Sequence, residues 1–175
     1  MASTQESDDK IDFSIRTSKI EDAEAIYSIE KTVFSSKLQY GFAIIVGLIQ
    51  TSLPNLALTA YLKESKKVIG FIVGEIDENN DDLGRLITIE VDPKIQNHHI
   101  GSKLLLKLEE NLKKYYFLQD IELQVHSLNE VAIKFYEKHQ YHKIKELRNY
   151  YARREHAILM KKKLSEIPMN FELGN

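Results

Sequence analysis

Two hydrophobic periods alternate along this chain. Ile11 to Ile15 places apolar and polar side chains in turn, the pattern of a half-buried strand. The spacing then changes: Ala23, Ile26, Ile29 and Val33 recur at intervals of three and four, which predicts one buried face of a helix. Ser18 followed by Glu21 supplies a capping-box pattern at its start. Phe34 to Tyr40 breaks the period and reads as a loop, and Gly41 to Ser52 reads as a second, more apolar helix. Leu56 to Leu62 and Val68 to Ile76 read as strands joined by the charged turn Lys63–Lys67. The polar run Asp77 to Asp82 leads into a further strand from about Leu83 to Val91.

Ile100, Leu104, Leu108 and Leu112 then repeat every four residues, with Leu105 beside them. Lys103, Lys107, Glu109 and Lys113 fall elsewhere, so an amphipathic helix is expected. Ile121 to Val125 reads as a short strand, and Asn129 as the N-cap of a helix carrying Ala132, Ile133 and Tyr136. Tyr141 to Leu147 and Ala157 to Lys161 read as the last strands. The order is strand, two helices, three strands, helix, strand, helix, two strands. It predicts a mixed α/β (α+β) domain whose first half is largely antiparallel.

Composition narrows the function classes. At 175 residues the chain is long enough for one domain with a sizeable core. The domain is expected over residues 11–164, with polar tails at 1–10 and 165–175. A formal net charge of -2 gives no broad basic field, so no nucleic-acid partner is expected. The absence of cysteine excludes disulfides, cysteine nucleophiles and thiolate metal sites. No apolar run reaches membrane-spanning length and the first ten residues lack a signal pattern. No membrane partner and a cytoplasmic location are therefore expected.

The stretch from Leu86 to Leu105 carries the chemistry. An apolar strand runs through Pro93 into a short polar loop and enters a helix at Gly101. Unpaired N–H groups and the positive end of the helix dipole gather there, which makes an anion site suited to phosphate or pyrophosphate.

Val91-x-Pro93-x-x-Gln96-x-x-His99-x-Gly101 resembles the cofactor loop of the GNAT acetyltransferases. The resemblance extends over most of Ile11 to Leu164. It includes Asn129-Glu-Val-Ala-Ile-Lys-Phe-Tyr-Glu137, similar to the family's Asn-x-x-Ala-x-x-x-Tyr helix. Arg148-Asn-Tyr-Tyr151 followed by Ala157-Ile-Leu-Met160 looks like the C-terminal hairpin of the branch that acetylates protein N-termini, with its RimI-like and archaeal NatA-type catalytic subunits. The resemblance implies a GNAT fold: a mixed sheet of about seven strands, about four helices, and a V-shaped gap between the fourth and fifth strands. It implies acetyl-CoA as co-substrate, with its pyrophosphate on the backbone of Gln96, Asn97, His98, His99, Ile100, Gly101 and Ser102. The strand edge at Ile89 and Val91 would pair with the pantetheine, and Asn129 would bond the pantetheine arm. His99 stands where the family has glycine, and is expected to narrow the room for phosphate while offering a side-chain donor; Gln140 replaces a second glycine, at a helix C-cap.

The resemblance also implies Tyr136 as the general acid for the departing thiolate and as a cofactor contact. A phenol is protonated at neutral pH, as that role requires. For the base, Gln124 occupies the position where the branch often has Glu or His, and an amide cannot take a proton. Glu122, two residues away on the same strand face, is the leading candidate, with His126 and Glu90 as alternatives. Phe34, Tyr150 and Tyr151 are the expected acceptor-binding residues. The histidine pairs His98/His99 and His139/His142 lack convergent carboxylates, so no metal is expected. The acceptor implied is a protein N-terminus, with an auxiliary subunit or the ribosome as candidate partner. A polyamine or amino-sugar acetyltransferase, or an acetyl-CoA-binding module without turnover, are the alternatives.

Overall fold

The computed structural model describes residues 11–33 and 39–164. The tails expected at 1–10 and 165–175, and Phe34, lie outside the described residues. The elements run β1 (Phe13–Thr17), α1 (Ala23–Val33), α2 (Phe42–Thr51), β2 (Ala57–Leu62), β3 (Val68–Asp77), β4 (Asn80–Val91), α3 (Ile100–Tyr116), β5 (Asp120–His126), α4 (Glu130–Lys138), β6 (His142–Ala152) and β7 (Glu155–Lys163). The strands form one sheet in the order β1-β2-β3-β4-β5-β7-β6, in which only β4 and β5 run parallel. The expected mixed sheet of seven strands with four helices is therefore the architecture of the described residues.

Two cores cover the two faces of the sheet. Leu104, Leu105, Leu108 and Leu112 of α3 pack with Ile69, Ile72, Leu86, Ile121, Leu123 and Met160 on one face. Ala23, Ile26 and Ile29 of α1 and Ile45 of α2 pack on Ala57, Phe71 and Val73 on the other. Glycine makes this contact possible at Gly74, where an added Cβ would meet Leu108 Cδ1 at 2.8 Å.

Local details correct the sequence reading. Ser18 does not cap α1: its hydroxyl lies 2.7 Å from Thr59 Oγ1, and the Lys19 N–H donates to Asp22 Oδ2 (2.8 Å) instead. Arg16 holds that same carboxylate with two hydrogen bonds, of 2.6 and 2.8 Å, so Asp22 closes a short 3-10 turn ahead of α1. Glu109, expected on the solvent side of α3, is fully buried and accepts from Lys162 Nζ at 2.7 Å. Strand β6 runs on to Ala152 because its register with β7 jumps between Leu147 and Ala152, bulging the Arg148–Tyr151 stretch out of the ladder. Asn129 does cap α4, its Oδ1 accepting from the Ala132 N–H at 3.1 Å.

The gap that positions the site has a local cause. On β3, consecutive residues Val73 and Gly74 pair with Thr88 and Leu86, leaving Ile87 as an extra residue on β4. Such a bulge bends the strand and increases its twist. Pairing between β4 and β5 stops there, at Leu86 opposite Leu123. Beyond that point, β4 from Ile87 to Val91 and β5 from Gln124 to His126 diverge, and β4 keeps partners only on its β3 side.

Candidate active site

Two cavities open along the divergence. The first, of about 420 Å³, lies between β4, the start of α3 and α4. It is lined by Ile89, Val91, Gln96, Asn97, His99, Ile100, Gly101, Ser102, Asn129 and Tyr136, all expected from the sequence, and by Phe135, Lys138 and His139, which were not. His98 is not among its lining residues. The second, of about 570 Å³, lies between β4, β5 and the hairpin, and is lined by Tyr40, Thr88, Gln124, His126, Leu128 and Tyr151. The two meet at Val33, Ile89, Asn129, Ala132 and Tyr136.

The floor of the first cavity is a run of backbone donors. Asn97 (φ 68°) and His99 (φ 59°, ψ 13°) both take the left-handed conformation, and the first intrahelical bond of α3 is Lys103 N–H to His99 C=O at 3.0 Å. The N–H groups of Ile100, Gly101 and Ser102 precede that bond, at the positive end of a helix of 17 residues. His99 therefore adopts the torsion a glycine would supply, at a cost of about 1 kcal/mol, rather than forgoing it. Its exposed ring lines the cavity without capping the helix. An anion of pyrophosphate type fits this arrangement. Gln140 likewise takes a left-handed C-terminal position after α4, with φ 70°.

Tyr136 sits where the cavities meet. It is 8% exposed, held edge-on by Phe135 (5.3 Å between centroids) and Tyr141 (5.7 Å). Burial, with the neighbouring Tyr151 and Glu90, pushes its phenol above the ordinary value, so it stays a proton donor through the working range.

The base candidates fare differently. Glu122 lines neither cavity: it pairs with Arg85 in the closed part of the ladder, where Arg85 Nε donates to its Oε1 at 3.2 Å, and Arg85 also binds Asp77. That engagement and position separate it from the divergence. His126 lines the second cavity, but both ring nitrogens are occupied. Nδ1 accepts from the Leu128 N–H (3.2 Å), which leaves Nε2 as the donor to Glu155 Oε2 at 2.6 Å. Glu90 lines the first cavity, 3% exposed, against the fully buried Glu30 of α1. Burial, and then the neighbouring Glu30, push its carboxyl up to about 9.

Of the expected acceptor residues, Tyr151 lines the second cavity, donating from Oη to Gln124 O (3.1 Å) and stacking on His126 (5.7 Å, 19°). Burial, then Tyr150 and Tyr40, push it up to about 12. Tyr150 is half exposed, lines neither cavity, and meets Tyr151 edge-on at 4.9 Å. Tyr40 and the Glu30–Glu90 pair went unnoticed as a unit. A signal existed: Glu30 falls inside the apolar face of α1, and Glu90 inside the apolar run Ile87–Val91.

Comparison with known proteins gives a consistent result. The chain matches the sequence pattern of the acetyltransferase (GNAT) family over residues 23–141. It is 33% identical over 153 residues to a protein of Methanocaldococcus jannaschii named as an uncharacterized N-acetyltransferase, covering 85% of this chain and 90% of that one. It is 25% identical over 170 residues to an N-alpha-acetyltransferase of Sulfolobus acidocaldarius, covering 91% and 98%. The crystal structure of Ard1 from Thermoplasma volcanium superposes with a TM-score of 0.77 at 26% identity, covering 86% of this chain and 97% of that one.

Proposed function

The chain belongs to the GNAT acetyltransferase family and is an acetyl-CoA-dependent acetyltransferase, and from that premise we propose that its acceptor is the α-amine of protein N-termini. The observation that carries the proposal is the junction of the two cavities at Tyr136, with no free strong base on the acceptor side among the described residues. Acetyl-CoA would lie in the first cavity, its pyrophosphate on the N–H groups at the start of α3 and its pantetheine along the free edge of β4 at Ile89 and Val91. The acceptor would enter the second cavity past Tyr40 and Tyr151.

The donor supplies an activated acetyl group as its thioester. The amine nitrogen attacks the carbonyl carbon, the C–N bond forms and the C–S bond breaks, with no covalent acyl-enzyme. A backbone N–H on the unpaired side of β4 polarises the carbonyl, and Tyr136 gives its proton to the leaving sulfur. The amine's own proton leaves to water. An α-amine, with a pKa near 8, reaches its neutral form at pH 7 for about 1.4 kcal/mol, whereas a lysine amine requires about 4.6 kcal/mol. A site whose Glu122 and His126 are already engaged therefore suits an α-amine. The archaeal relatives named N-alpha-acetyltransferase support the same acceptor. Presentation of that acceptor by an auxiliary subunit or the ribosome belongs to this reading. The relative named as the catalytic subunit of an N-terminal acetyltransferase complex supports it.

The test is acetyl transfer from labelled acetyl-CoA to short peptides with free or blocked N-termini, each carrying an internal lysine. Transfer is expected only to free N-termini. Transfer that survives blocking places the acceptor on lysine and overturns the proposal.

A further inference from the structure

Glu30 and Glu90 form a buried acid pair between α1 and β4 that the transfer chemistry leaves unused. Glu30 is 0% and Glu90 3% exposed. One oxygen of each is engaged: the Tyr40 N–H donates to Glu30 Oε1 at 2.5 Å, and Thr88 Oγ1 donates to Glu90 Oε1 at 2.7 Å. The remaining oxygen of each, Oε2, is buried and meets no donor group among the described residues. Burial and the neighbouring Glu30 favour a proton on Glu90, and a hydrogen bond between two carboxyls requires one. Two carboxylates this close and this dry do not both ionise, so the pair holds one proton and one negative charge.

The pair connects three parts of the site. Glu90 lines the first cavity, and Thr88 and Tyr40 line the second. Tyr40 directly precedes the N-cap of α2, Gly41, so its backbone position governs where its side chain stands in the acceptor wall. The bond from its N–H to Glu30 is the link that the acid pair controls. We infer that Glu90, through the proton it shares with Glu30, is a positioning residue that fixes Tyr40 at the wall of the acceptor cavity, and that losing this proton loosens acceptor binding. The inference deepens the reading of the second cavity as the acceptor site and rests on it.

The groups facing the pair reinforce the direction of the effect. They are Tyr40 ahead of α2 and Tyr136 from α4; Glu75 of β3 and Tyr150 of β6 act on Tyr40. Among the described residues no cation faces the pair, so a second negative charge at Glu90 meets no compensating charge there. With the proton in place, Glu90 offers Glu30 a donor and the pair carries a single charge. Without it, two buried carboxylates repel, and Glu30 can relieve the repulsion by turning away from β4, which breaks its bond to Tyr40. The Glu90 carboxyl is pushed up to about 9 by burial and Glu30, so the proton stays at neutral pH and leaves in the alkaline range.

Glu90→Gln separates this role from simple packing. The amide donates to Glu30 as the acid proton does, keeps the single charge on Glu30, and does not titrate. The measurements are the backbone amide shift of Tyr40 by nuclear magnetic resonance, and KM for the neutral-amine form of an acceptor peptide, corrected for the peptide's own ionisation, in the full chain between pH 7 and 9.5. In the wild type, the Tyr40 amide is expected to titrate with a midpoint near 9. Peptide KM is expected to rise at least fivefold from pH 7.5 to 9.5, while KM for acetyl-CoA stays within twofold. In Glu90→Gln both the amide shift and the peptide KM should be flat, with KM at pH 7.5 within twofold of wild type. A Tyr40 amide that does not titrate in the wild type, or titrates equally in Glu90→Gln, overturns the inference. If Tyr40 titrates as expected but no peptide accepts acetyl, the positioning role stands and the assignment of the acceptor fails.

Discussion

Tyr136 stands where the two cavities meet, and its surroundings define a clean test. Its ring is packed edge-on between Phe135 and Tyr141, so Tyr136→Phe keeps the packing and removes only the hydroxyl. As the proposed general acid, that hydroxyl lowers the barrier for thiolate departure, and its loss is expected to reduce kcat by about 10²-fold. Because the ring shape is kept, KM for acetyl-CoA should stay within about twofold. Steady-state kinetics on both proteins checks this, and an unchanged kcat removes Tyr136 from the acid role. The sequence made Tyr136 visible because its helix motif spans only a few residues. The Glu30–Glu90 pair was not visible as a unit, since its members lie on α1 and β4 and only folding brings them together. Each is nonetheless a charged residue at an apolar position, and that local conflict marks where tertiary structure has imposed a function or a constraint. Glu122 shows the opposite case. Strand alternation placed it on the same face as Gln124, but could not reveal that Arg85 faces it where β4 and β5 are still paired.

At the scale of elements, regular periods were legible and irregular ones were not. The leucine repeat of α3, the turns bounding β2 and β3, and the cap at Asn129 are local signals, and each appears in the structure. The β4 bulge at Ile87 and the outward bulge of β6 depend on register with a neighbouring strand, which a single sequence does not encode in any one window. The start of α3 joins the two categories: its place was readable, its torsions were not. His99 already holds the left-handed conformation there. In His99→Gly, relief of about 1 kcal/mol of backbone strain is offset by a comparable loss of unfolded-chain freedom, so stability should change by less than about 1 kcal/mol. The backbone donors of Ile100 to Ser102 are expected to keep their positions. If the backbone groups rather than the imidazole hold the anion, acetyl-CoA affinity by isothermal titration should change by less than about threefold. A loss beyond tenfold, about 1.4 kcal/mol, would assign a direct phosphate contact to the ring.

The whole molecule must stay together across its own gap. Between β4 and β5 the ladder lasts only from Leu83 to Leu86, so the sheet's two halves, β1–β4 and β5-β7-β6, share few strand hydrogen bonds. They are joined instead through α3, whose leucines touch both halves in one continuous core. The same helix contributes the buried ion pair from Glu109 to Lys162 on β7, with partners 0% and 5% exposed. A buried pair of this kind adds little net stability over apolar residues, but removing one partner strands the other. In Lys162→Met the Glu109 carboxylate loses the interaction that holds its charge, and unfolding free energy near neutral pH should fall by about 3–5 kcal/mol. Burial already raises the Glu109 carboxyl above its ordinary value with Lys162 present, and removing the lysine raises it further. The folded variant therefore holds a proton that the unfolded chain releases above its ordinary carboxylate value. Its stability should be better retained at pH 5 and decline as pH rises toward the raised folded value. Replacing both partners, in Lys162→Met/Glu109→Leu, should recover stability to within about 1 kcal/mol of wild type. Urea unfolding of the three proteins at pH 5 and pH 8 measures all of these. If Lys162→Met costs under 1 kcal/mol at pH 8, the ion pair is not what ties α3 to β7, and the apolar core alone spans the gap.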